Sequence, residues 1–464
     1  MNWLKIKSVY MIGIKGVGMT MLAEYLAGQG FNISGSDTAE VFMTDAVLAK
    51  ACIKVKLGFK AENLPAAADL IIYSTAYNET NPEVAAALAG HKKVLTYAAA
   101  LADIFNQSFG IAVTGSHGKT TVSAWLGFVL QQAGLSPSVL VGSFVPQFGG
   151  ASLVGKSNLL VAEADEYQNK LAILHPKMVL LNNIDYDHPD FYPSAAAYEQ
   201  AFGDFVAKLS AKDKLVANFD DEAVRRLSAL TKAKVLSFSL NHPAAEFRAE
   251  QITYQAGRQY FKVKMSQEDL GDFSSGLIGQ HNVSNALAVI AAATELGADL
   301  HSIRGAIADF TGTSRRLEKL GEFNGALIYD DYAHHPTEIK ATIAAARQLY
   351  PDNKLTVVFH PHTFSRTQAL FNDFVNSFSG VDELIVLDIY GSAREVKGGV
   401  SAEDLVEKIR LVYTDKQIMH LPTLTEAADY LRHNAQAKEV IMLMGAGDVF
   451  RVADDLLNKK KIKL

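Results

Sequence analysis

Short, mostly apolar runs alternate along this chain with longer stretches in which apolar residues return every three to four positions. The runs at 9–12, 31–34, 70–73, 110–113, 159–161, 178–181 and 214–216 are too short for helices. They carry little polar alternation, so they read as strands covered on both faces, as in a parallel sheet. Residues 19–28 and 121–133 follow the helical period and predict helices directly after the first and fourth of these strands. A stretch at 247–273 alternates more and predicts an antiparallel insertion. From about Thr311 the strand and helix pattern resumes, with strands expected at 326–329, 355–358, 383–386 and 439–442. Strand–helix alternation implies an α/β protein built on parallel sheets. The three successive series predict three domains, at 1–106, 107–310 and 311–464.

Length agrees with that division, because 464 residues exceed what one ordinary core accommodates. Hydrophobic residues make up 49% and charged residues 20%, so there is ample apolar surface to bury. A net charge of −6 argues against nucleic acid or a membrane surface as partner. The basic group Lys459, Lys460, Lys461 and Lys463 reads as a solvated tail. The lone cysteine, Cys52, allows neither an intrachain disulfide nor a multi-cysteine metal site, which suits the cytoplasm. Its neighbours Ala51 and Ile53 predict a buried thiol rather than a nucleophile. No secretory leader and no apolar stretch of membrane-spanning length is apparent.

Two glycine-rich loops carry the first chemical signal. Val113-Thr114-Gly115-Ser116-His117-Gly118-Lys119-Thr120-Thr121 stands between a predicted strand and a predicted helix. Its amides can cradle phosphates at a helix N-terminus, Lys119 can reach the β/γ-phosphates, and the Thr120 hydroxyl can ligate Mg²⁺. The usual first glycine of such a loop would fall at Val113. A loop lysine contributes little to a core, so Lys119→Ala is expected to abolish turnover and leave the fold intact. Earlier in the chain, Gly13-Ile14-Lys15-Gly16-Val17-Gly18 opens the first helix, and Asp37 ends the second strand. That layout suits a nucleotide diphosphate, with a carboxylate waiting for a hydroxyl. Lys15 replaces the middle glycine expected for NAD.

Acids cluster where the next strands end. Glu163-Ala164-Asp165-Glu166 follows one apolar run, and Asn182-Asn183-Ile184-Asp185-Tyr186-Asp187-His188 follows another. Strand ends of this kind converge on the ligand crevice of an α/β sheet. Glu163 and Thr120 suit Mg²⁺, with His188 as a less usual neighbour.

With these residues assembled, the chain resembles the Mur ligase family. Thr114 to Thr121 matches the family's ATP loop, including its departure from the usual spacing. Glu163, Asn183 and His188 match the nucleotide and metal motifs. Gly279-Gln280-His281-Asn282 with Asn285-Ala286 matches the segment that meets adenine. Arg315-Arg316, Asp331-Tyr332-Ala333-His334-His335-Pro336, His360-Pro361-His362-Thr363-Phe364-Ser365-Arg366-Thr367, Asp388-Ile389-Tyr390 and Met444-Gly445-Ala446-Gly447-Asp448 match further segments, several of them typical of the alanine-adding branch.

The resemblance implies a Rossmann-like N-terminal domain for the UDP-sugar, a P-loop ATPase-like central domain, and a Rossmann-like C-terminal domain for the amino acid. It implies ATP, UDP-N-acetylmuramate and L-alanine as small-molecule partners, Mg²⁺ as cofactor, and a monomer or homodimer. ATP would meet Gly115, Ser116, His117, Gly118, Lys119, Thr120, Thr121, Asn285, Arg315 (phosphate) and Asp331 (ribose). The UDP-sugar would meet Gly13, Gly16, Gly18, Asp37 and Ser74. Thr120, Glu163 and His188 would hold the metal. Tyr332, His334, His362 and Arg366 would gather around the amino acid, with Arg366 on its carboxylate. Lys119, His188, His334 and Arg366 form the implied catalytic set. Which histidine acts as base stays open, as does a catalytic or a packing role for His335. The family's reaction activates a sugar-linked carboxylate as an acyl phosphate, which an amine then attacks. Tyr167-Gln168-Asn169-Lys170 departs from the alanine-adding pattern and resembles the branch that attaches a recycled tripeptide to the same sugar nucleotide. A folylpolyglutamate-type ligase would lack the residues that precede the phosphate loop, and an NAD oxidoreductase would leave that loop unexplained.

Overall fold

The computed structural model describes residues 1–42, 44–391, 395 and 398–457, so the C-terminal lysine group lies outside the described residues. Three sheets follow one another along the chain. The first is wholly parallel, in the spatial order Lys54–Leu57, Asn32–Asp37, Ser8–Ile12, Leu70–Tyr73, Val94–Thr96. Its order reverses beside Ser8–Ile12, the strand that feeds the first glycine loop, as in Rossmann-like sheets.

The second sheet has ten strands. A parallel centre runs Lys234–Ser239, Lys214–Asn218, Met178–Leu181, Phe109–Thr114, Leu159–Glu163, Ser138–Val145. The meander Phe247–Gln255, Arg258–Met265, Glu268–Ser275 extends one edge and matches the expected antiparallel insertion. The helix Lys119–Gln132 is buried from Thr120 to Leu130, between this sheet and the helices Gln280–Glu295 and Leu300–Asp309. It starts at Lys119 rather than 121, because Gly118 turns the backbone left-handed (φ 81°) and aims the next residues into the helix.

In the third sheet the order is Glu318–Phe323, Ala326–Asp331, Glu439–Met444, Lys354–Phe359, Glu383–Val386, Gln417–His420, with the first strand antiparallel. The last strand in sequence thus inserts between the second and third. The loops after Asp331, Phe359 and Met444 leave adjacent strands side by side.

The strands that patterning did not single out include Lys54–Leu57, Glu318–Phe323 and Gln417–His420. All three lie on sheet edges, where polar and exposed side chains erase the apolar run. Cys52 corrects another expectation, for it is exposed. It sits just past the helix Thr44–Lys50 with φ 56°, and that left-handed turn carries the thiol outward. Among the described residues, no helix is long and apolar enough to cross a membrane.

Candidate active site

In the second sheet the strand Phe109–Thr114 lies between Met178–Leu181 and Leu159–Glu163. The loops at 115–118, 164–166 and 182–188 therefore leave three neighbouring parallel strands on the same edge. Gly115 has φ 122°, and a Cβ there would stand 2.8 Å from the Asn183 carbonyl oxygen. At Gly118 a Cβ would meet Asn285 Oδ1 at 2.8 Å and Asn182 Nδ2 at 3.0 Å. Both positions require glycine. The His117 amide donates to Asn183 Oδ1 at 2.8 Å, while Asn182 and Asn183 each donate to the His117 carbonyl at 3.3 Å. Ser116 Oγ donates to the Asp185 carbonyl at 2.8 Å and has the Tyr198 hydroxyl at 2.9 Å. The phosphate loop is thus braced from the loop after the next strand.

Lys119 folds back over this loop. Its ammonium donates to the carbonyls of Gly115 (2.6 Å) and Ser116 (3.1 Å) and to Glu166 Oε2 (3.0 Å). Burial opposes its charge, but the carboxylates of Glu166, Asp165 and Glu163 outweigh burial and hold the ammonium protonated. Glu166 is itself 1% exposed and also accepts the Tyr198 hydroxyl at 2.8 Å. Despite burial, Lys119 and His188 bring its carboxyl down to about 2. The expected indifference of the fold to Lys119→Ala is corrected here: the lysine neutralises a buried carboxylate.

The metal candidates fall into two groups. Thr120 Oγ1 lies 3.0 and 3.1 Å from the two Glu163 oxygens, and the Gly142 amide donates to Glu163 at 3.0 Å. These are hard oxygen donors of the kind Mg²⁺ takes. His188 stands apart from that pair, beside Glu166 Oε1 at 3.5 Å and within a cluster that includes Asp165. Its ring packs on Tyr167 at 4.7 Å, whose hydroxyl donates to Asp190 Oδ2 at 2.8 Å.

A cavity of about 350 Å³ opens between the second and third sheets, lined by His117, Gly118, Thr121, Asn285, Arg316 and Asp331 among others. Arg316 replaces Arg315 at this wall. Arg315 has φ 63° and turns away, its guanidinium donating to Asp330 Oδ2 at 3.0 Å and to the Gly445 carbonyl at 2.8 Å. Asp331 is almost fully buried, and its oxygens accept the amides of Leu317 (2.7 Å) and Ala333 (2.8 Å). His281, also on the wall, stays neutral because burial, then the nearby Arg316, pushes it down to about 4.

Tyr332, His334, His362 and Arg366 do come together. The His334 ring meets Tyr332 at 5.2 Å and His362 at 6.1 Å, and His362 stacks on Tyr390 at 5.7 Å. Arg366, 4% exposed, is not open to a ligand carboxylate. Its Nε and Nη2 donate to Asp187 at 2.7 and 3.2 Å, and Nη1 lies 3.1 Å from His362 Nδ1. The pair crosses from a loop of the second sheet to the helix Phe364–Ala369 beside the third. His362 is pushed down to about 3 by burial and by Arg366 beside it, so it is neutral. His335 caps the helix Pro336–Leu349 through its side chain and faces the Tyr186 carbonyl at 3.2 Å, which is a docking role.

At the first glycine loop, Gly13, Gly16 and Gly18 open the helix Val17–Gly28, and Ser74 lies at the end of the adjacent strand Leu70–Tyr73. Asp37 does not wait for a hydroxyl. It is buried and accepts the Lys15 and Thr38 amides at 2.7 Å each, which fixes the loop. Tyr97 packs against Gly18, and its phenol is pushed up by burial and by Glu163 and Asp165, so this loop and the acidic loop share a neighbour.

Sequence reasoning left out Glu166, Asp187, Arg316 and Glu338 as site residues. The first three stand beside residues it did single out, and the acid runs themselves were the available signal. Glu338 has no such signal, being one acid in the first turn of a helix.

Three family descriptions cover the chain in order. "Mur ligase family, catalytic domain" matches residues 8–109, "Mur ligase middle domain" residues 113–293, and "Mur ligase, glutamate ligase domain" residues 315–447. A UDP-N-acetylmuramate–L-alanine ligase from Desulfosudis oleivorans is 37% identical, covering 98% of this chain and 99% of that protein. One of the same name from Aquifex aeolicus is 36% identical over 99% of each. Among solved structures, a UDP-N-acetylmuramate-alanine ligase from Thermotoga maritima superposes with a TM-score of 0.80 at 25% identity, covering 98% of this chain and 99% of that one. A murein peptide ligase from Psychrobacter arcticus shares the fold, with a TM-score of 0.72 at 22% identity over 99% and 100% of the two chains. The phosphate loop, the acids beside it and the full-length similarity agree: the chain belongs to the Mur ligase family.

Proposed function

We propose that this protein joins L-alanine to the carboxylate of UDP-N-acetylmuramate at the expense of ATP, through an acyl phosphate, in the cytoplasm. The observation that carries this reading is that the loop at 182–188 both braces the lysine-bearing phosphate loop and, through Asp187, pairs with the buried Arg366 beside His362 and His334. The work divides along the chain as 1–106 for the UDP-sugar, 107–310 for ATP and 311–464 for the amino acid. The first glycine loop, with Gly13, Gly16, Gly18 and Ser74, holds the sugar nucleotide, and Asp37 keeps that loop in shape. Asn285, Thr121, Asp331 and Arg316 receive the nucleoside, and Gly115 to Thr120 receive the phosphates.

The first step brings a carboxylate to the γ-phosphate, anion against anion. Lys119 lowers that barrier, and loop amides hold the oxygens where charge develops. Thr120 and Glu163 would hold Mg²⁺, with His188 and Glu166 beside them; the ion would supply further neutralisation of phosphate charge. ADP then leaves the acyl phosphate, whose carbon the amine attacks, with inorganic phosphate as leaving group.

The histidine tautomers select a base. His334 Nδ1 lies 3.0 Å from the Tyr332 carbonyl and 3.2 Å from Glu338 Oε2, both acceptors, so Nδ1 carries the hydrogen and the lone pair is on Nε2. His362 has the opposite arrangement, since its Nδ1 receives Arg366. His334 therefore takes the ammonium proton and His362 orients. Arg366 stays paired with Asp187 and, through Nη1, fixes His362 beside the incoming amino acid.

Phosphate release from the purified protein with ATP and Mg²⁺ tests the reading. Release is expected to require both UDP-N-acetylmuramate and L-alanine, with L-serine or glycine slower. A murein peptide ligase activity is the second reading, favoured by Tyr167 packed on His188. Faster turnover with the tripeptide than with L-alanine establishes it instead.

A further inference from the structure

The His117 amide is already held by Asn183 Oδ1, and its side chain is tied separately, by two carboxylates. His117 Nδ1 lies 3.2 Å from Glu338 Oε1, and Nε2 lies 3.2 Å from Asp185 Oδ2. Both partners are carboxylates and accept only, so both ring nitrogens donate, which requires the imidazolium. Asp185 belongs to the loop after Met178–Leu181, in the second sheet, whereas Glu338 lies in the first turn of Pro336–Leu349, which packs on the third. The cation therefore ties the two units together at the phosphate loop. Thr337 strengthens the contact by donating its hydroxyl to Asp185.

Glu338 continues the chain of contacts. Its second oxygen accepts the His334 amide at 3.1 Å and faces His334 Nδ1 at 3.2 Å. His117, Glu338 and His334 thus form a line from the phosphate loop to the candidate base. We infer that His117 is a positioning residue: its cation grips Glu338 and thereby holds His334 in place only while the C-terminal unit is docked on the phosphate loop. This rests on the proposed ligase reaction for its catalytic consequence, though not for the docking itself.

The groups facing this ring are Asp185 and Glu338, with His335 at 4.7 Å between ring centroids. Behind Glu338 stand His334 and Arg316, the latter at 3.8 Å, and His281 lines the same cavity. Burial opposes the ring's charge, but Asp185 and Glu338 raise it to about 9. An undocked ring would titrate near the ordinary value of about 6.5. Docking thus takes up a proton. Its contribution is complete below about 6.5 and is lost as pH rises through about 9.

Histidine-selective NMR titration of the full-length protein is the first test. The wild-type ring is expected to titrate near 9 and to fall by at least one pH unit in Glu338→Gln. A wild-type ring titrating near 6.5, or one unmoved by that substitution, overturns the inference. Steady-state kinetics is the second. His117→Gln should lower kcat about tenfold or more, leave the KM for ATP within about threefold, and remove an alkaline limb near 9 from the kcat profile. The double variant with Glu338→Gln should lose no more than the worse single variant, since both break one contact. Unchanged kcat, additive losses, or an effect confined to the KM for ATP also overturns it. Should no amine donor support turnover at all, the proposed function fails, and the titration still decides the role of His117.

Discussion

At the first glycine loop the lysine faces away from the loop's mouth: Lys15 Nζ pairs with Asp45 at 2.9 Å and donates to the Glu40 carbonyl at 2.8 Å. At the second, Lys119 lies across the mouth and answers three carboxylates, Glu166, Asp165 and Glu163. Both loops follow a central parallel strand and open a helix, so the backbone device is the same. Their electrostatics are opposite. The first loop is internally balanced, with Asp37 bound to its own amides, and can receive a ligand through backbone donors alone. At the second, Lys119 answers Glu166 and Lys170 answers Asp165, while among these lysines Glu163 is left with the Thr120 hydroxyl and an amide, which is the setting for a divalent cation. The same turn thus stands in two electrostatic settings, according to the acids around it.

The largest expected effect tests the second loop. Lys119→Met should cut turnover roughly a thousandfold, as loss of a preorganised charge at a reacting phosphate does. It should also lower unfolding stability by about 3 kcal/mol, because Glu166 is left buried without its partner. Adding Glu166→Gln should restore stability in denaturant titrations and leave turnover lost. Stability unchanged in the single variant would show that Glu166 finds another partner, and the contrast between the loops would weaken. A smaller effect is expected at the metal pair: Glu163→Gln should raise the Mg²⁺ concentration for half-maximal rate about tenfold, with little change in stability. The smallest concerns the first loop. Lys15→Ala removes a pair whose acid is a third exposed, so stability should fall by no more than about 1 kcal/mol. Any kinetic change should appear in the KM for the sugar nucleotide and not for ATP. An ATP effect equal to that at Lys119 would erase the distinction.

Much of the architecture was legible because buried parallel strands are short apolar runs, and those at 70–73, 178–181 and 383–386 coincide with Leu70–Tyr73, Met178–Leu181 and Glu383–Val386. Lys54–Leu57, Glu318–Phe323 and Gln417–His420 were not, since exposure at a sheet edge replaces the apolar signal with polar residues, and the interior strands Ser138–Val145 and Lys234–Ser239 were not singled out either. The pairing of Thr120 with Glu163 agrees with their reading as joint Mg²⁺ candidates, since the helix that carries Thr120 and the strand that ends at Glu163 leave the same edge of one sheet. Arg315 and Arg316 could not be told apart, because a left-handed backbone at Arg315 (φ 63°) decides which guanidinium turns to the cavity. Cys52 was misjudged for a similar reason: local hydrophobicity argued for burial, and the backbone turn put the thiol outside.

By itself the sequence determined much of the strand and helix series and the two glycine turns that open helices after a strand, since these depend on local periodicity and on glycine at fixed offsets. Only the tertiary structure decided the partners: Glu166 for Lys119, Asp187 for Arg366, Asp185 and Glu338 for His117. Each partner comes from a different loop or sheet, and the Glu338 contact spans 221 residues of chain. Charges so far apart in sequence are paired by the packing of whole sheets, and burial then makes each pairing strong enough to set which groups are charged.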